Sequence, residues 1–165
     1  MIRKATLKDY LKIVAIIESG IKYIAITKSP QWQIEFPYQE LIKKDILNKK
    51  CYLLLSNKEI IGTFSLYESD ASYNYIKGNW LNKRNNYFVI HRIAVKYYQK
   101  GIGQEIIEHI ISLAKKENKS IRVDTHYLNI AMQNLLLKNN FSYCGTINLL
   151  DKKIDRERLA YERII

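Results

Sequence analysis

The chain has 165 residues and a formal net charge of +11, from 27 Lys and Arg against 16 Asp and Glu. That length suits one domain over residues 1–165 with an ordinary core, and 47% hydrophobic with 26% charged residues excludes a disordered chain. No apolar run nears the ~18 residues of a membrane span, and the charged N-terminal stretch MIRKATLKDY holds no signal-peptide core, so a cytoplasmic protein with no membrane partner is expected.

The positive charge favours anionic partners. The lysines are scattered, however, with no block of five basic residues and no groove-reading motif, which argues against nucleic acid. Cys51 and Cys144 sit in apolar runs without metal-ligand spacing. They read as reduced core thiols, and no metal is expected.

In chain order, Met1–Ala5 predicts a short strand, and Thr6 caps a helix with Asp9 in its first turn. The apolar stripe of that helix runs to about Ser19. Pro30 and Pro37, the only prolines, mark a loop and the start of a helix carrying Leu41, Ile42, Ile46 and Leu47. Cys51–Ser56 and Ile60–Glu68 predict a hairpin. Ser69–Asn86 is polar and tyrosine-rich and reads as a loop. Tyr87–Val95 is apolar enough for a central strand.

A glycine-bearing turn follows, then a helix with Ile106, Ile107, Ile110, Leu113 and Ala114 on one face. Ser120–His126 predicts a strand and AMQNLLLKN a helix. Phe141–Leu150 and Glu157–Ile164 predict a closing antiparallel pair. The order is that of an α/β (α+β) domain.

Two of the six glycines, Gly101 and Gly103, flank Ile102 where the strand turns into the helix. Glycine allows a tight turn and close approach to the backbone, and a helix start aims free N–H groups at the turn. The stretch is either an anion site, most naturally for phosphate, or a helix start that happens to use glycine.

HRIAV at 91–95 with KGIG at 100–103, and VDTHYLN at 123–129 with AMQNLLLKNNF at 131–141, resemble the GNAT superfamily of acetyl-CoA-dependent N-acetyltransferases. The resemblance covers the whole chain. It implies a mixed central sheet of about six to seven strands, splayed between the fourth and fifth, with helices on both faces. It implies acetyl-CoA as co-substrate, held by Ile93, Ala94 and Val95 at the splay and by Gly101, Ile102, Gly103 and Gln104 at the pyrophosphate. Lys100 offers charge there, and Asn129 reaches the pantetheine, serves as a helix N-cap, or does both. The acceptor is a primary amine of a small molecule or peptide, and a homodimer paired through the last strands is a reasonable expectation.

Three positions depart from the family pattern. Tyr98 stands where arginine or glutamine is usual, with Gln99 one residue late. Asn140 replaces a glycine, a mild change because asparagine tolerates the left-handed conformation. Leu136 stands where the family often has the tyrosine that protonates the thiolate. A module that binds acyl-CoA without turnover is therefore the alternative, and charge alone motivates a third reading, an RNA-associated domain.

An alkylamine of pKa ~10.4 is only about 1 in 2,500 neutral at pH 7, so a general base matters. The chain has three histidines. Strand alternation puts His91 on a face with Val89, Ile93 and Val95, His126 ends the next strand, and His109 reads as surface. His91 and His126 are the candidates; either could instead be structural, and a water chain could serve as base. Tyr127 is the tyrosine nearest the missing acid. Trp32, Trp80, Tyr73 and Tyr75 make either an acceptor pocket or ordinary packing.

Overall fold

Asp9 accepts hydrogen bonds from both the N–H and the hydroxyl of Thr6, each at 2.9 Å, and from the Arg3 guanidinium at 2.8 Å. This box closes strand β1 (Ile2–Lys4) onto a 3-10 turn (Leu7–Asp9) that runs into helix α1 (Tyr10–Ile26). The helix is longer than its stripe up to Ser19 suggests. Gly20 and Ile24 continue the buried face, and the Thr27 hydroxyl ends the helix by donating to the Ile24 carbonyl at 2.7 Å.

The computed structural model describes residues 1–34, 36–98 and 100–165. After α2 (Tyr38–Leu47), strands β2 (Cys51–Ser56) and β3 (Glu59–Tyr67) form the expected hairpin. Its turn residues Asn57 and Lys58 both take the left-handed conformation (φ 48° and 67°) that matches the strand twist. The 69–86 segment is more than a loop: it holds a 3-10 turn (Ala71–Asn74) and a short strand β4 (Ile76–Gly78). The rest runs β5 (Tyr87–Val95), α3 (Ile102–Glu117), β6 (Ser120–Thr125), α4 (Ile130–Lys138), β7 (Ser142–Asn148) and β8 (Glu157–Arg163).

The sheet has eight strands in the order β1-β2-β3-β5-β6-β8-β7-β4, one more than expected because β4 pairs with β7 at the far edge. With β4 there, β7 and β8 are both interior. Strand β4 covers β7 at Gly145, Thr146 and Ile147. β5 and β6 form the parallel pair, joined by α3, and the neighbouring pairs are antiparallel.

Two layers cover the sheet. On one face α3 and α4 pack over Phe64, Phe88, Ile90, Ile121 and Tyr161, with Ile106, Ile107 and Ile110 fully buried. On the other, α1 and α2 cover Leu53, Ile60 and Ala94, while Tyr73 and Trp80 cover Tyr87 and Val89.

Between Thr63 and Ser65 of β3, the partners on β5 jump from Ala94 to His91, one residue more than on the facing strand. Arg92, with φ 52°, sits in that bulge. A bulge shifts the inside–outside alternation by one. Phe88 and Ile90 face α3 before it, and Ile93 and Val95 face the same side after it. His91 therefore does not share a face with Ile93 and Val95, as unbroken alternation predicts. It lies on the opposite face, with Val89 and Tyr73.

Candidate active site

The β5–β6 ladder ends at Ile90↔Val123, yet β5 continues to Val95 paired only with β3, and β6 continues to Thr125 paired only with β8. The two strands part there, which is the expected splay; β4 being inserted at the edge, the fourth and fifth strands of the family pattern are β5 and β6 here. Beyond the splay, Gly101 (φ 75°) caps α3. The first intrahelical bond runs from the Glu105 N–H to the Gly101 carbonyl at 3.1 Å, so the amides of Ile102, Gly103 and Gln104 precede it.

A groove of about 360 Å³ runs over this end of the sheet. Ile93, Ala94 and Val95 line it from β5, and Gly101, Ile102, Gly103 and Gln104 from the helix start. A Cβ on Gly101 would meet nothing within 4 Å, so the space above that residue is open; one on Gly103 would lie 3.2 Å from the Leu135 side chain. Open space over a left-handed glycine beside free amides fits a pyrophosphate.

Asn129 also lines the groove, and its side chain is engaged at both ends. Oδ1 accepts from the Met132 N–H at 3.2 Å, which makes it the α4 N-cap, while Nδ2 donates to Gln31 at 3.1 Å. The Gln104 side chain pairs reciprocally with Asn139 and donates to Glu108. Lys100 is exposed and lines neither the groove nor the cavity beside it. Tyr98 lines the groove and stacks on Tyr23 of α1, centroids 3.8 Å apart. Gln99 lies outside the described residues.

A second cavity, about 450 Å³, opens on the α1–α2 face and meets the groove at Ile24, Trp32, Ile93, Asn129 and Met132. His91 lines it, with Nε2 3.0 Å from Asp70 Oδ2. The alignment falls short of a hydrogen bond, so this buried nitrogen has no donor–acceptor partner among the described residues. Asp70 caps the 3-10 turn through Oδ1, which accepts from the Ser72 N–H at 2.8 Å. Burial pushes the Asp70 carboxyl up, but His91 and the Ser72 amide outweigh it and hold the group below the usual carboxylate value. Asp124 lies on the same floor, and its Oδ1 accepts from the Tyr73 hydroxyl at 2.6 Å. Burial dominates there and raises the Asp124 carboxyl.

His126 lies elsewhere. Its side chain is 3% exposed, its Nε2 stands 3.2 Å from Asp155, and its Nδ1 accepts from the Leu128 N–H at 3.1 Å. It lines neither the groove nor the cavity. His109 is on α3, away from both. Tyr127 is 60% exposed, and Leu136 is fully buried in the α3–α4 core.

Of the four aromatics named from the sequence, only Trp32 lines the cavity. Tyr73 and Trp80 stack in the core, and Tyr75 is exposed. Sequence reasoning missed Asp70 and Asp124. Asp70 carried a signal, since Asp-Ala-Ser is a capping pattern; Asp124 carried only its place in VDTH.

The chain matches the Acetyltransferase (GNAT) family model over residues 19–141. A GNAT-family acetyltransferase from Streptococcus agalactiae 2603 superposes with a TM-score of 0.89 at 30% identity, covering 100% of this chain and 95% of that one. One from Listeria monocytogenes 4b F2365 gives 0.74 at 17% identity, with 100% and 94% covered. The PaiA N-acetyltransferase of Thermoplasma acidophilum, solved with coenzyme A, gives 0.70 at 18% identity, with 100% and 98% covered. These last two share the fold. No curated protein matches significantly.

A splayed sheet with a glycine-capped helix at its open end defines an acyltransferase scaffold. The chain belongs to the GNAT acetyltransferase family.

Proposed function

We propose that the protein transfers the acetyl group of acetyl-CoA directly to a primary amine of a small molecule or peptide. The observation that carries this is the junction at the splay of the groove over the α3 start with the cavity that His91 lines. Acetyl-CoA, when bound, supplies an activated thioester whose C–S bond breaks as the C–N bond of the product forms.

The chain's own residues do the rest. The amides of Ile102, Gly103 and Gln104 hold the pyrophosphate, with the positive end of α3 behind them. The β6-facing side of β5 from Ile93 to Val95, left free past the splay, orients the donor arm and offers an N–H to negative charge developing on the acyl oxygen. Fixing donor and amine in one geometry contributes up to ~7–11 kcal/mol. His91 takes the proton that the ammonium must lose, directly or through one water, and Asp70 stabilises the cation so formed. His126 holds the α4 approach and the β7–β8 loop together.

The missing acid at Leu136 favours the second reading, a module that binds acyl-CoA without turnover. A thiol with pKa near 8.5 leaves tolerably without an acid, which keeps turnover as the first reading. Calorimetric titration with acetyl-CoA, followed by thiol release across an amine panel, tests both. Binding with thiol release upholds the transferase, binding without release from any amine upholds the module, and no binding at tens of micromolar ends both.

A further inference from the structure

The wall of the second cavity divides by element. Its floor carries a polar group, His91, Asp124 and Thr125 of the sheet with Asp70 and Ser72 of the 3-10 turn, beside the apolar Ile90, Ile93 and Val123. Its roof, from the α1–α2 loop and α2, is mostly apolar, with Trp32 and Phe36 stacked at 5.2 Å, then Pro37 and Leu41, and it also carries Gln31 and Lys44. An acceptor filling this space puts its amine on the acidic floor and a hydrophobic body against the aromatic roof. At about 450 Å³ the cavity falls in the size range of small-molecule sites.

Two further observations narrow the body. The cavity's guanidinium groups are engaged. Arg92 binds the buried Asp45 through Nε and Nη2, and also donates to the Tyr67 hydroxyl. Arg158 donates to the carbonyls of Asp155 and Glu157 and to the Asp155 carboxylate. Neither is available to a substrate carboxylate; the cavity's lysines, Lys44 of α2 and Lys152 of the β7–β8 loop, belong to its helix and loop sides, and a carboxylate next to the amine would lie against Asp70 and Asp124. The roof is also tied down. Lys152 of the β7–β8 loop donates to the Ile34 carbonyl at 2.8 Å, and Gln31 accepts from Asn129. These bonds tie the α1–α2 loop to the β7–β8 loop and to the start of α4.

We infer, resting on the transferase reading above, that the acceptor is a small primary amine with a compact apolar or aromatic body and no carboxylate beside its amine. Arylalkylamines are the nearest chemical class. An α-amino acid brings its carboxylate into like-charge contact with the floor, and a peptide N-terminus brings further chain to a cavity of about 450 Å³.

The test uses phenethylamine, phenylalanine and a phenylalanine-initiated tripeptide, titrated calorimetrically into the full chain with coenzyme A present. Phenethylamine binding at least about 100-fold tighter than the other two is the expected result. Equal or tighter binding of phenylalanine or the tripeptide, or no binding of phenethylamine, overturns the acceptor class. Asp124→Asn should narrow the gap between phenethylamine and phenylalanine about tenfold, and Phe36→Ala should weaken phenethylamine while leaving coenzyme A affinity unchanged. Titration with acetyl-CoA alone is run beside these. If phenethylamine binds and acetyl-CoA does not, the transferase reading fails and the amine selectivity of the cavity stands.

Discussion

His91 and Asp70 meet at 3.0 Å across the cavity floor, the imidazole on β5 and the carboxylate at the cap of a 3-10 turn. The bulge at Arg92 breaks the alternation of β5, so His91 faces Asp70 on one side of the sheet while Ile93 and Val95 pack toward α3 on the other. A kink one residue from the histidine thus sends its side chain and those of Ile93 and Val95 to opposite faces of the sheet.

If His91 takes the proton, His91→Ala lowers kcat by about 10²–10⁴. Acetyl-CoA affinity should stay within twofold, since the groove does not include this side chain. Asp70→Asn keeps the cap on Ser72 and removes the charge, and it should lower kcat by about tenfold. Steady-state kinetics and calorimetry on the same preparations separate the two effects. An unchanged kcat in His91→Ala rules the imidazole out as base.

The proposed pyrophosphate site at Gly101 and Gly103 makes a separate prediction. Gly101→Asp and Gly103→Asp place a negative charge where a pyrophosphate would sit and should lower acetyl-CoA affinity by more than about 100-fold. Gly101→Ala is the control. Its φ of 75° makes any side chain strained, by about 1–2 kcal/mol, while the space around its Cβ is open. A modest fall in Tm with coenzyme A affinity largely kept would show that the charge, not the strain, disrupts binding.

Local signals carried well from the sequence. The Thr6 cap, the Asn57–Lys58 turn, the strand–glycine–helix unit and the closing pair all rest on residues whose preference is set within a few positions. What was not legible depends on contacts distant in sequence. Nothing near Arg92 announces a bulge, and β4 exists because β7 offers it a partner. Asp70 and Asp124, 54 positions apart, enter the site only once the chain between them folds back, and α1 extends to Ile26 because Gly20 and Ile24 meet the sheet layer.

The third prediction concerns stability. Glu162 is fully buried on β8 and accepts from Arg122, Ser120 and the backbone of Leu81 and Asn82. Arg122 lies between the rings of Trp80 and Tyr87, at 4.3 and 3.8 Å. Removing one partner leaves the other charge buried, so Glu162→Ala should cost about 3–5 kcal/mol in denaturant unfolding. Replacing both residues with apolar ones should cost less than Glu162→Ala alone. A loss below about 1 kcal/mol in the single variant would mean that water reaches Arg122.

The last prediction is a pH dependence set by His126. Burial lowers its pKa below the usual histidine value, Asp155 opposes that shift, and Arg158 adds to it. The unfolded chain titrates this imidazole near pH ~6.5. Below that pH the unfolded state binds a proton that the folded state still refuses, so His126 destabilises the fold as pH falls, until the lower folded pKa is reached. The slope from one such group is at most about 1.4 kcal/mol per pH unit. His126→Asn keeps an acceptor for the Leu128 N–H and cannot titrate. Its unfolding free energy, subtracted from that of the parent between pH 7.5 and 5, should therefore leave a difference curve that bends near pH 6.5, with the parent losing more on acidification. A flat difference would show that the imidazole is as free to protonate in the folded protein as in the unfolded chain.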